Sequence, residues 1–257
     1  MTGVKLGLTT PTPMPSTDKG ALSASINYRD SACINAFFPV SVEAATSLLK
    51  GSGLKPAFAL GSHTLVVVSI YDHKRCAIGA HKEAGLVIPV LPEGESLPLS
   101  NVLDLYLPIN QRRIGFFPLD LPVTSESALS TGRELWGLPR FPAEITLASQ
   151  RRQIHAQVRS DGETLFTLTG ETLPGIPVIP VNLLIYTQVE HRLTKTKVRL
   201  KGFGKLYPAG TVRLTVGETD HPMTEHLSRL GLDEKSPALV MRAERLQMLM
   251  EPAARID

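Results

Sequence analysis

Cysteine is scarce. Cys33 and Cys76 are the only two in 257 residues, too few for a disulfide framework or a thiolate metal cluster, and both are expected to be reduced and packed as small apolar groups. Long apolar runs are missing too. The stretches 65–71, 86–91 and 181–186 fall well short of the about 18 residues a membrane-spanning helix needs, so no membrane partner is expected. Neither sign of charge dominates: 27 basic and 24 acidic residues leave +3, too little to imply a nucleic-acid partner. Several catalytic signatures are also absent. Without G-x-G-x-x-G after a strand, G-x-x-x-x-G-K-[ST], G-x-S-x-G or H-E-x-x-H, nucleotide, serine-hydrolase and zincin chemistry lose their main support. The opening MTGVKLGLTTPTPMPSTDKG lacks the apolar stretch of a secretory signal; residues 1–24 are expected to be a flexible lead-in and the location cytoplasmic.

What is present points to strands. Hydrophobic residues make up 42% and charged residues 20%, a globular balance, and twenty glycines and twenty prolines fall between short apolar runs. Strands are predicted over 64–71, 76–90, 154–159, 164–169, 181–190, 194–201 and 211–216, and more weakly over 238–250. Three helices are predicted: one capped by Ser41, one capped by Thr124 and ending at Gly132, and one capped by Asp220 and ending at Gly231. Pattern alone therefore predicts an α+β fold, mainly antiparallel β, with residues 25–257 as one domain.

Four stretches bear on chemistry. Asp220, His221, Glu225 and His226 do not make a convincing metal site, since the two histidines diverge by about 140° on a helix, and no metal is expected. In HRLTKTKVRLKGFGK, alternation puts Lys195, Lys197, Arg199 and Lys201 on one face, which reads as a wet outer sheet face. In CAIGAHKEAGLVIPV, alternation puts Gly79, His81, Glu83 and Gly85 on one face, so a carboxylate and an imidazole are flanked by positions that let a ligand approach closely. The alternative, favoured by the strand alone, is that Glu83 pairs with an unseen Arg or Lys and the glycines mark a bulge. In TSESALSTGRELWGLPRFPAEI, Pro139 and Pro142 stiffen the backbone around Arg140 and Phe141, setting a guanidinium among Trp136, Leu138 and Phe141. Arg133 lies close by and could pair with Glu134, and Trp136 could be a core residue.

The segments Gly79-Ala80-His81-Lys82-Glu83-Ala84-Gly85 and Gly132-Arg133-Glu134-Leu135-Trp136-Gly137-Leu138-Pro139-Arg140, in that order, resemble the acetoacetate decarboxylase family, whose corresponding motifs are G-x-Y-x-E-x-G and G-R-E-x-x-x-x-P-K. The resemblance implies an acetoacetate decarboxylase-like β-barrel wrapped by additional strands and short helices, a homo-oligomer, and an active site inside the barrel. It also implies a departure. The family's lysine condenses with a ketone to form a Schiff base; here Arg140 stands in its place, and Phe141 in that of the neighbouring cation. A guanidinium has no free amine lone pair, so no imine is expected, and Lys82 points away from Glu83 by alternation.

On this resemblance Glu83 and Arg140 are the expected catalytic residues. Arg140 would hold a carboxylate or enolate in its fork, and Glu83 would carry the proton. The expected substrate-binding residues are His81, which stands where the family often has an aromatic hydroxyl, together with Trp136, Leu138, Phe141 and Arg133. The implied activity is of lyase type, on a keto acid or polyketide-like carboxylate, without a cofactor, through an enolate that serves decarboxylation, dehydration, hydration or cyclisation. The alternative is a catalytically inactive protein of the same fold that binds a small carboxylate.

Overall fold

A computed structural model describes residues 25–96, 101–189 and 192–256; the lead-in expected over 1–24 lies outside the described residues. Strand β1 (Ile26–Ser41) runs straight into helix α1 (Val42–Leu48), because Ser41 stays extended and its Oγ accepts from the amides of Glu43 and Ala44, the cap read from the sequence. A short β2 (Leu54–Pro56) leads to a hairpin of β3 (His63–Cys76) and β4 (His81–Pro92). The strand expected over 76–90 is therefore split. Gly79 turns the chain at φ +92, a conformation that glycine adopts without a Cβ penalty, so it belongs to the exposed turn and not to the face carrying His81 and Glu83.

After the one-turn α2 (Asn101–Asp104) come β5 (Gly115–Val123), α3 (Glu126–Trp136) and the three-residue β6 (Arg140–Pro142). Helix α3 is capped by Ser125, not Thr124, whose hydroxyl instead accepts from the Lys82 amide. It passes through Gly132 and ends at Gly137, which takes the left-handed conformation at φ +60. The remaining elements are β7 (Glu144–Gln150), β8 (Gln153–Ser160), β9 (Glu163–Glu171), β10 (Ile176–Val178), β11 (Leu183–Val189), β12 (Arg192–Pro208) and β13 (Arg213–Val216). Helix α4 (Pro222–Arg229), β14 (Leu239–Met250) and β15 (Ala254–Arg255) complete the order. The α4 cap is His221, not Asp220, with Nδ1 accepting from the Met223 amide at 3.1 Å.

The fold is mostly antiparallel sheet with few helices. The larger sheet runs β2-β4-β3-β1-β14-β12-β11-β5-β6, and β5 pairs with β4 as well, so the path from β4 through β3, β1, β14, β12, β11 and β5 returns to its start. Among the described residues only β5 with β11 and β5 with β6 are parallel, and the first of these seams is a single bridge between Ile185 and Phe116. A second sheet, β13-β9-β8-β7, packs with α4 against the larger one. Between them Phe38, Val68, Ile70, Leu86 and Ile88 meet Ala156, Phe166, Leu168, Met223 and Leu227 in one apolar cluster. On β12 the expected alternation holds: Thr196 and Val198 are buried while Arg199 and Lys201 are exposed. No helix of the described residues is long and apolar enough to cross a membrane.

Candidate active site

Strands β1, β3 and β4 are buried on both faces, and the two faces do different things. Even-numbered residues such as Phe38, Val68 and Leu86 enter the packed layer. Odd-numbered ones, Asn35, Phe37, Val67, Ser69, Tyr71, His73, Glu83 and Val87, line a cavity of about 240 Å³. The other walls are apolar: Phe116, Pro118 and Leu121 from β5, Leu183 and Ile185 from β11, Val198 and Leu200 from β12, and three methionines from β14. Tyr28 and Arg140 complete the polar part of the lining. Gly85 lies on the same face because a Cβ there would come within 2.8 Å of Ser69 Oγ and 2.9 Å of Leu121 Cδ2.

Arg140 and Glu83 meet through the sheet. Glu83 on β4 pairs with Val123 on β5, and Arg140 on β6 lies beside Leu121 of the same strand. Their side chains form an ion pair, Nη2 to Oε2 at 2.5 Å, with Arg140 only 3% exposed. The pair is a contact without hydrogen-bond alignment. Oε2 of Glu83 and Nε of Arg140 have no hydrogen-bond partner, while Nη1 donates to the Ala128 carbonyl at 2.6 Å. The guanidinium lies against helix α3 at Gly132, where a Cβ would stand 2.5 Å from Nη1 and 2.7 Å from Nε. That close approach explains the glycine inside the helix.

Around the pair stand two tyrosines and two histidines. Burial would lower the Arg140 pKa, but the charge of Glu83 and the Tyr28 hydroxyl within hydrogen-bonding reach outweigh it and raise it. Burial pushes the Tyr28 and Tyr71 phenols above their ordinary range, so both are neutral hydrogen-bonding groups. Burial, reinforced by His81 and Arg140, holds His73 well below the ordinary imidazole range, and its Nδ1 shares a hydrogen bond with Ser31 Oγ at 2.9 Å. His81 is lowered chiefly by burial; its ring centroid is 4.7 Å from that of His73, and its Nε2 is buried without a partner.

The other expected binding residues are placed differently. Leu138 lines the cavity with Glu83 and Arg140; His81, Trp136, Phe141 and Arg133 do not. His81 stands behind the lining, its ring turned toward His73 and Tyr28. Trp136 is fully packed in the core, with its indole N–H donating to the Glu251 carbonyl at 3.0 Å. Phe141, next to Arg140 on an alternating strand, points to the opposite face and packs on His221. Arg133 is exposed, but its Nε donates to the Arg140 carbonyl at 2.7 Å, so it holds the backbone of the site and not a ligand. Sequence reading missed Tyr28, Tyr71 and His73. The alternation of β3 carried a signal for the last two, with Tyr71 and His73 in step with Ser69 and Val67.

Solved structures share this arrangement of strands. An acetoacetate decarboxylase from Legionella pneumophila superposes with a TM-score of 0.64 at 14% identity, covering 96% of this chain and 94% of that one. An acetoacetate decarboxylase-like enzyme from Sphingomonas wittichii RW1 does so with 0.64 at 17%, covering 97% and 98%. The enduracididine biosynthesis enzyme MppR, complexed with pyruvate, gives 0.62 at 12%, covering 98% and 93%. No curated protein sequence matches the chain. The sequence does match the acetoacetate decarboxylase family over residues 9–251, and the chain belongs to that family.

Proposed function

We propose that this chain is a lyase-type enzyme of the family that acts on a keto acid or polyketide-like carboxylate without a Schiff base. Glu83 moves the proton, and Arg140 stabilises the negative charge that develops on the enolate oxygen. The observation that carries the reading is the pair of partly buried Glu83 with fully buried Arg140 at 2.5 Å, facing an otherwise largely apolar cavity. No lysine is among the described residues that line it, and Arg140 has no amine lone pair to condense with a ketone. The strand path that returns to β4 supports a barrel around the cavity. MppR was crystallised with pyruvate, which supports a small keto acid as the polar end of the substrate; the apolar walls favour a longer tail.

Turnover of a panel of keto acids by wild type and Glu83→Gln tests this. The variant is expected to lose about 10² or more in turnover with nearly unchanged ligand affinity at low pH. Borohydride added with the same acids is expected to leave the protein mass unchanged. A reduced adduct on any lysine would refute the non-covalent route.

A further inference from the structure

The polar part of the cavity is electrically balanced before any ligand arrives. The titratable groups whose charge or dipole Glu83 influences are Tyr28 from β1, Tyr71 and Cys76 from β3, His81 from β4, behind the lining, and Arg140 from β6, with His73 of β3 beside them. Burial keeps the two histidines below, and the tyrosines and the thiol above, their ordinary ranges, so all five are uncharged at neutral pH. One cation and one anion remain. No second cation is among the described residues that line the cavity.

A ligand carboxylate set against Arg140 would make two anions share one buried guanidinium. Like charges at that range do not both stay ionised, and an uncompensated buried charge is costly. The carbonyl of a keto acid withdraws electrons from its carboxyl group and makes it the stronger acid, so the proton goes to the protein carboxylate. The geometry offers the ligand a place on the guanidinium, because Nε of Arg140 lacks a hydrogen-bond partner while Oε2 of Glu83 holds Nη2 at 2.5 Å.

We infer that a carboxylate ligand enters this site together with one proton taken up by Glu83, whereas a neutral ketone enters without one. The inference rests on the site assignment above and adds a chemical consequence. When a 3-oxo acid loses carbon dioxide, the bond between its C2 and carboxyl carbon breaks and the electron pair passes to the enolate. Glu83 then delivers the imported proton to C2 and returns, as a carboxylate, to Arg140. One proton enters and one leaves on the product, so no further reactant is needed.

Titration calorimetry in phosphate and in Tris, whose ionisation enthalpies differ, counts the protons. The probes are 2-oxo-4-phenylbutanoate and the neutral 4-phenyl-2-butanone. Expected for wild type are about one proton taken up per carboxylate bound, an affinity falling about tenfold per pH unit near neutrality, and neither effect for the ketone. Glu83→Gln should abolish the uptake, flatten the pH dependence and tighten the carboxylate at least tenfold; if it does not fold, the wild-type proton count decides. Carboxylate binding to wild type without proton uptake overturns this inference while leaving the turnover test of Glu83 untouched. Binding of neither probe to wild type overturns the site assignment and this inference with it.

Discussion

The two faces of β1, β3 and β4 are built from alternate residues of the same strands, yet they answer to different constraints. On the packed face, Phe38, Val68, Ile70 and Leu86 are all fully buried and all apolar, because tight packing there tolerates neither voids nor unpaired polar atoms. On the cavity face the same strands carry Asn35, Ser69, Tyr71, His73 and Glu83 among their apolar neighbours. Polar groups persist there because they have one another, and a space a ligand can occupy. The comparison teaches that burial by itself does not identify a core position. What separates the faces is whether the space next to the side chain is already filled.

Substitution can break that contrast. Phe38→Ala, on the filled face, is expected to cost about 3–5 kcal/mol, whereas Val67→Ala, on the cavity side of the adjacent strand, should cost less than about 1 kcal/mol, because it enlarges an existing space instead of opening a new one. Denaturant unfolding of both variants checks this; equal losses would mean the cavity is filled like the core.

Gly132 sharpens it at the boundary. Alanine normally stabilises a helix interior by about 1 kcal/mol over glycine. Here the added Cβ meets the Arg140 guanidinium, so Gly132→Ala should destabilise by about 1–3 kcal/mol as an overpacked site does and shift Arg140 against Glu83. A stabilised variant with unchanged activity would show that Arg140 does not depend on that contact.

The smallest effect is in pH. His73 and His81, whose pKa values are lowered by burial, contribute stability that is complete above the ordinary imidazole pKa of about 6.5 and is lost as pH falls toward their folded values. His226 on α4 behaves oppositely: its hydrogen bond to Asp120 at 2.8 Å raises it, so its stabilisation is complete below about 6.5 and lost as pH rises through the raised value. Unfolding midpoints of wild type should fall below pH 6.5, and the gap between wild type and His226→Gln should close above it.

Much of the fold was legible, and the gaps have physical causes. Strands β8, β9, β11 and β13 were read from alternation, and the Ser41 cap from its chemistry. Strand β1 was missed because polar cavity residues interrupt its apolar pattern and register shifts between Tyr28 and Cys33, two against each neighbouring strand, break the two-residue period. Strand β5 was missed because Pro118 and Pro122 argue against a strand, each lacking a donor for the ladder. The site was half legible. Glu83, Arg140 and Leu138 line the cavity, whereas Trp136 and Phe141 were assigned to it from apolar character, which does not distinguish a wall from a core.

The sequence by itself determined the chemical identities: a carboxyl group at 83, a guanidinium with no nucleophilic lone pair at 140, and a glycine at 132, where Arg140 leaves no room for a Cβ. Only the tertiary structure decided that these two meet, that Tyr28, Tyr71 and His73 join them, and that Trp136 does not. Local propensity acts over a few residues, while the Glu83–Arg140 contact is made through β5 across 57 positions. Which face each side chain takes follows from strand register, and register is settled by pairing between distant segments.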